Sequence, residues 1–128
     1  MHSLGTMYWY GRGVPLDKDK AVKWWRRAAE QGNVLSQTTV AYMYSRGNAV
    51  PLDKIEATKW YRKAAEQGDA TGQYSLGEMY HSGKNYPEAA KWWRRAAEQG
   101  FASAQYKLGL LYYNGQGVPQ DFVLAHMW

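Results

Sequence analysis

Residues Lys23–Gly32 read KWWRRAAEQG, and the same stretch returns unchanged at Lys91–Gly100. A looser copy, KWYRKAAEQG, occupies Lys59–Gly68. Paired aromatics followed by paired basic residues suit three roles: a nucleic-acid grip, a membrane anchor, or a packing unit that recurs. The spacing decides between them. AAEQG falls at Ala28–Gly32, Ala64–Gly68 and Ala96–Gly100, intervals of 36 and 32 residues, and Trp24, Trp60 and Trp92 keep the same intervals. A second series precedes each copy: LGTMY (Leu4–Tyr8), VAYMY (Val40–Tyr44), LGEMY (Leu76–Tyr80) and LGLLY (Leu108–Tyr112). Each is followed by a glycine: Gly11, Gly47, Gly83 and Gly115. The chain is an array of two-segment units, each joined by a glycine-containing turn.

Both segments read as helices. Ala21, Trp24, Trp25 and Ala28 fall at i, i+3, i+4 and i+7, one face of a 3.6-residue period. Asp17 stands before that run as an N-cap, and Gly32 follows as a C′ glycine able to take positive φ. In the first segment Gln73, Leu76, Gly77 and Tyr80 form one stripe, and Thr71, Tyr74, Glu78 and His81 another. A glycine inside a helix costs about 1 kcal/mol relative to alanine, so its recurrence at Gly5, Gly77 and Gly109 implies close approach of a neighbouring helix, with Ala41 filling that place in the second unit. The aromatic pair then reads as a packing ridge: Trp24, Trp60 and Trp92 are expected in the core, with Trp25, Tyr61 and Trp93 half-buried between units. Loss of such a core aromatic to alanine costs about 3–5 kcal/mol.

Composition narrows the function classes. The chain has 128 residues, no cysteine, a net charge of +5 and an aromatic content of 16%. No disulfide framework or thiolate metal site is available. No apolar run approaches the ~20 residues of a membrane span, and no basic-then-apolar leader opens the sequence. The basic balance favours an acidic partner without naming one.

The pattern resembles the Sel-one-like repeat (SLR) family, relatives of the tetratricopeptide repeat. Leu4, Gly5, Tyr8, Gly11, Gly13, Val14, Asp17, Ala21, Trp24, Ala28, Ala29 and Gly32 fit its signature. So do Leu108, Gly109, Tyr112, Gly115, Gly117, Val118, Asp121, Ala125 and Trp128 of the fourth unit. The resemblance implies an all-α fold: a right-handed α-α superhelix, or solenoid, of helix-turn-helix repeats forming a single domain over 1–128. Its units are 1–32, 33–68, 69–100 and 101–128, the first and last truncated. Such an array is expected to belong to a longer one or to lack caps, so its end units would fray or associate end to end with a second molecule. Two turns depart from the pattern. Ala49 stands where Gly13 and Gly117 do, a strained position if φ is positive there. The turn over Gly83–Ala90 is four residues shorter than its counterpart after Gly11, with Tyr86 as a packing aromatic.

The resemblance also implies a non-catalytic scaffold or adaptor whose first helices line a concave groove for a protein or peptide, in a compartment that stays open (a bacterial envelope or secreted setting is allowed). Carried over by position, the partner-binding face is Trp9, Tyr10, Thr38, Tyr42, Arg46, Tyr74, Glu78, His81, Tyr106, Lys107, Leu110, Tyr113 and Asn114. Thr6, Leu35, Thr39, Ser45, Thr71, Ser75, Ser82 and Ser103 lie on the same stripes. Aromatic residues and arginine are the side chains that dominate interfaces. Trp9, Tyr42 and Tyr113 are the strongest candidates, since a core does not need large aromatics on an outward stripe; Tyr74 and Tyr106 are equally well read as structural.

Two other classes fare worse. For an RNA or polyanion binder the basic convex helices would serve, since 12 of the 16 basic residues fall in 17–31, 53–67 and 87–99; those segments also hold 8 of the 11 acidic residues. Charge is thus interspersed, with Arg26–Glu30, Arg62–Glu66 and Arg94–Glu98 spaced for i, i+4 pairs. A late-helix Glu opposes the helix dipole, so Glu30, Glu66 and Glu98 are expected to contact the next unit. For a hydrolase or metal site, Glu78 and His81 stand at i, i+3, but Tyr42/Ser45 and Leu110/Tyr113 on the sister helices supply no further ligands. No catalytic residue, metal or cofactor is assigned.

Overall fold

The computed structural model describes His2–Asn114. Seven α-helices run through it: α1 (His2–Tyr10), α2 (Lys18–Glu30), α3 (Val34–Arg46), α4 (Lys54–Glu66), α5 (Ala70–Ser82), α6 (Tyr86–Glu98) and α7 (Ala102–Asn114). No strand occurs among the described residues. The all-α helical-repeat solenoid expected from the sequence is the fold found. The assignments made to Gly115, Gly117, Val118, Asp121, Ala125 and Trp128 lie outside the described residues. The chain divides into two compact units, distinct from the four sequence repeats and called unit 1 (Met1–Ala64) and unit 2 (Ala65–Trp128) from here on.

Local chemistry sets the helix ends. The Asp17 carboxylate accepts from Lys20 N at 3.1 Å, the Asn33 side chain from Ser36 N at 2.8 Å, and Asp69 from Gly72 N at 2.8 Å, each satisfying an otherwise orphaned N–H of the first turn. At the other end Gly32, Gly68 and Gly100 take φ of +94°, +90° and +86° with open space around them, so backbone conformation alone selects glycine there.

Long and short turns close on one hydrogen bond. The N-cap N–H reaches the carbonyl of the recurring tyrosine: Asp17 to Tyr8 at 2.8 Å, Asp53 to Tyr44 at 2.9 Å and Asn85 to Tyr80 at 2.9 Å. The short turn reaches that carbonyl with Lys84 at φ +62° and with Tyr86 packed on the core of its unit. Ala49 takes φ +64°, close to the +75° of Gly13, so the second turn keeps the geometry of the first at the cost of strain.

The aromatic ridge packs differently from expectation. Trp60 and Trp92 are core residues, each 2% exposed, but Trp24 is only half-buried. Trp25, Tyr61 and Trp93, expected at half burial, are fully buried at 4%, 6% and 1% exposure. The reason lies inside the hairpin. The Trp25 indole lies on Gly5, where an added Cβ would meet Trp25 Cδ1 at 2.5 Å, and Trp93 lies on Gly77 at 2.4 Å by the same measure. Its N–H then donates to a carbonyl one turn earlier, Trp25 Nε1 to His2 O at 3.0 Å and Trp93 Nε1 to Tyr74 O at 3.1 Å. The second repeat carries a matched exchange, Ala41 for the glycine and Tyr61 for the indole, both buried.

The carbonyls ending each second helix are satisfied from the next first helix. Gln37 Nε2 donates to Ala29 O at 3.1 Å, Gln73 to Ala65 O at 3.3 Å and Gln105 to Ala97 O at 3.1 Å. This corrects the role assigned to the late glutamates: Glu30 is exposed and pairs within its own helix with Arg26 at 3.9 Å, and the contact from one second helix to the following first helix is made by glutamine. Arg94 lies over the Tyr112 ring at 5.6 Å rather than forming the expected pair with Glu98.

Two stability outcomes are expected. Gly77→Ala should destabilise the fold by about 1–3 kcal/mol, because displacing the Trp93 indole outweighs the gain in helix propensity. Adding Trp93→Tyr should recreate the Ala41/Tyr61 pairing and cost less than the two single changes summed, by roughly 1 kcal/mol in a urea-denaturation cycle. Ala49→Gly should relieve left-handed strain and raise the melting temperature, a gain of about 1 kcal/mol before the extra chain entropy of glycine is deducted.

Candidate functional site: the first-helix faces

Three roles separate along the first helices. The residue three positions before Gly5 or Gly77 and the residue four positions after it flank the buried indole. In unit 1 these are His2 and Trp9, whose rings lie 5.8 Å and 5.4 Å from Trp25. In unit 2 they are Tyr74 and His81, at 6.4 Å and 5.3 Å from Trp93. Tyr74 also stacks on Phe101 at 5.2 Å, and the His81 ring meets Tyr86 at a tilt, 5.2 Å away. Trp9, Tyr74 and His81, all placed on the binding stripe from sequence, therefore spend much of their ring surface inside the hairpin. The His2 ring further ties α1 to α3 through its Nδ1 and the Ser36 hydroxyl, 2.7 Å apart, and its burial lowers its pKa.

A second group is polar but already engaged. The hydroxyls of Thr38 and Thr39 both donate to Leu35 O, at 2.9 Å and 2.7 Å, and Ser45 donates to Tyr42 O at 2.7 Å. They keep lone pairs for a partner but no free proton. In unit 2 Glu78 sits between two neighbours. Lys107 approaches it at 3.6 Å from α7, and the Tyr74 hydroxyl hydrogen-bonds to it from one turn earlier. Burial, then that hydrogen bond and the Glu78 charge, push the Tyr74 hydroxyl up to about 12. Glu78 and His81, spaced for a metal, point to these different partners; among the described residues no three His, Cys, Asp or Glu side chains gather.

The third group faces outward. Tyr10, Tyr42, Tyr106 and Tyr113 are 60%, 51%, 65% and 54% exposed. Leu110, Arg46 and Asn114 are exposed beside them. Guanidinium groups lie on two of these rings, Arg12 over Tyr10 at 5.1 Å and Arg46 over Tyr42 at 5.4 Å. At the C-terminal ends of α5 and α7 a small cavity of about 190 Å³ is lined by His81, Trp93, Lys107, Leu110, Leu111 and Asn114. The residues that sequence reasoning missed here are the glutamines Gln37, Gln73 and Gln105 and the cation Arg12. The glutamines carried a legible signal, since each stands four positions before the recurring glycine or alanine.

Because its folded-state pKa is raised above the unfolded value, Tyr74 contributes stability that is complete below about pH 10 and is lost as pH rises toward 12. Wild-type protein should therefore lose more stability over that interval than Tyr74→Phe, measured by urea denaturation at matched pH.

Two solved structures share this architecture. One is a protective antigen of uropathogenic Escherichia coli that displays an SLR fold, with a TM-score of 0.94 and 40% identity over 99% of this chain and 28% of that one. The other is a Sel1 repeat protein from Oxalobacter formigenes, with a TM-score of 0.91 and 38% identity over 98% of this chain and 54% of that one. The chain thus spans between about a quarter and a half of the length of these relatives. Sel1 repeat proteins generally act as protein-interaction scaffolds and are generally non-catalytic. No described helix is long and apolar enough to cross a membrane. The Sel1 repeat matches four times, at residues 1–33, 34–69, 70–101 and 102–128, and with every repeat of the chain accounted for in this way, the protein belongs to the Sel1 repeat family.

Proposed function

We propose that this chain is a non-catalytic scaffold that holds a segment of a partner protein on its first-helix faces. One observation carries the reading. Among the described residues every exposed aromatic side chain lies on a first helix: Tyr10 on α1, Tyr42 on α3, and Tyr106 and Tyr113 on α7. The second helices bury or half-bury all of theirs. Tyr10 and Tyr42 stand away from the positions that flank an indole, where packing within the hairpin gives no reason for a large ring, whereas amphipathic rings with few rotatable bonds are efficient at interfaces. Tyr106 and Tyr113 are as exposed, at the flanking positions of Gly109. Unit 1 offers Tyr10, Tyr42 and Arg46; unit 2 offers Tyr106, Leu110, Tyr113, Lys107 and Asn114.

The polyanion alternative draws less support, because acids stand among the second-helix cations, with Arg26 3.9 Å from Glu30. Lys59 and Lys91 stand 3.9 Å and 4.0 Å from Glu56 and Glu88.

The decisive comparison is between Tyr42→Ala/Tyr113→Ala and Arg27→Gln/Arg95→Gln as bait in lysate of the native organism, with retained proteins identified by mass spectrometry. The tyrosine variant should keep its helical circular-dichroism signal and lose the proteins that wild type retains; the arginine variant should keep them. The reverse pattern would move the binding surface to the second helices.

A further inference from the structure

This inference rests on the first-helix faces being the partner surface, and concerns the charge of what they hold. In unit 1 the stretches His2–Asp17 and Asn33–Asp53, which carry α1, α3 and the turns after them, contain two carboxylates, Asp17 and Asp53. Both are occupied as helix caps: Asp17 accepts from Lys20 N at 3.1 Å, and Asp53 from Ile55 N and Glu56 N, each at 3.1 Å. The same stretches contain two guanidinium groups, Arg12 and Arg46, both exposed. Among the described residues neither forms an ion pair. Some cations elsewhere are paired: Arg26 with Glu30 at 3.9 Å on α2, and Lys107 with Glu78 at 3.6 Å on the first-helix face of unit 2.

The manner in which the two arginines are held matters as much as their charge. Each lies on an exposed phenol, Arg12 on Tyr10 and Arg46 on Tyr42. Stacking uses the face of the guanidinium plane and leaves its in-plane N–H donors available, the edge that grips a carboxylate bidentately. Two such donors beside two exposed rings suit carboxylates interspersed with aromatic or apolar side chains.

We propose that the α1–α3 face of unit 1 binds an acidic protein segment bearing aromatic residues, its carboxylates on Arg12 and Arg46 and its rings on Tyr10 and Tyr42. A polypeptide of this kind repels itself into an extended chain and so presents its side chains without unfolding anything.

Fluorescein-labelled poly(Glu,Tyr) is a suitable probe, with poly(Lys,Tyr) as its charge opposite and polyuridylate as a competing polyanion. Anisotropy titrations on the full chain should show binding of poly(Glu,Tyr) in preference to poly(Lys,Tyr), weakened roughly tenfold or more in Arg12→Gln/Arg46→Gln and unchanged in Arg27→Gln/Arg95→Gln. Arg12→Glu/Arg46→Glu should reverse the preference toward poly(Lys,Tyr), a result that lost folding could not produce. The proposal fails if wild type ignores poly(Glu,Tyr), if the second-helix variant weakens it equally, or if polyuridylate displaces it at equal charge concentration, which would make the surface a nucleic-acid site. Loss of binding in Tyr10→Ala/Tyr42→Ala with none in Arg12→Gln/Arg46→Gln would sink the acidic partner alone and leave the first-helix reading standing.

Discussion

An indole packed directly against a glycine sets the distance between the two helices of a repeat, and most other features follow from that distance. Trp25 and Trp93 come so close to Gly5 and Gly77 that a single methyl group would collide with the ring. The glycine weakens its own helix, and the contact more than offsets that weakness by burying one of the largest side chains available. Hydrogen bonding finishes the joint, because the indole N–H reaches a carbonyl on the same first helix. The Ala41/Tyr61 repeat shows the same constraint from the other side: a larger residue on the first helix is accompanied by a smaller ring on the second.

That joint also sorts the first-helix aromatics by role. A ring one turn on either side of the glycine is drawn against the indole, as His2, Trp9, Tyr74 and His81 are. Tyr10 and Tyr42, further round their helices, stay exposed, whereas Tyr106 and Tyr113 are exposed although they hold the flanking positions of Gly109. For Tyr10 and Tyr42 the split follows from helical geometry, since positions 3 and 4 residues apart share a face and intermediate ones do not. Repeat-to-repeat cohesion uses different chemistry, a glutamine amide placed on the last carbonyls of the preceding helix. Helix ends need such partners, and a side chain from the next repeat supplies one without occupying the outward face.

Charge is divided along the same lines. The second helices carry most cations interspersed with most of the acids, which keeps that surface well solvated and weakly attractive to any one ligand. On unit 1 the first-helix side spends its carboxylates on caps and leaves two guanidinium groups resting on phenols. A surface of low charge density with two well-oriented donors favours a particular partner over polyanions in general.

The repeat, the helical class, the caps at Asp17 and Gly32 and the glycine's packing role were all legible in the residues, because they depend on local propensity and on recurrence at a fixed interval. So was the site of strain at Ala49, where a positional comparison with Gly13 was enough. Which aromatic of the first pair is buried was not legible: Trp24 and Trp25 both fit one face of a 3.6-residue period, and only the approach of Gly5 decides between them. The same holds for Trp9 against Tyr42. Both lie on an outward stripe by count, but one has an indole within reach and the other does not. Periodicity assigns a side chain to a face of its own helix; the neighbouring helix, at a distance set by the glycine, determines what that face touches.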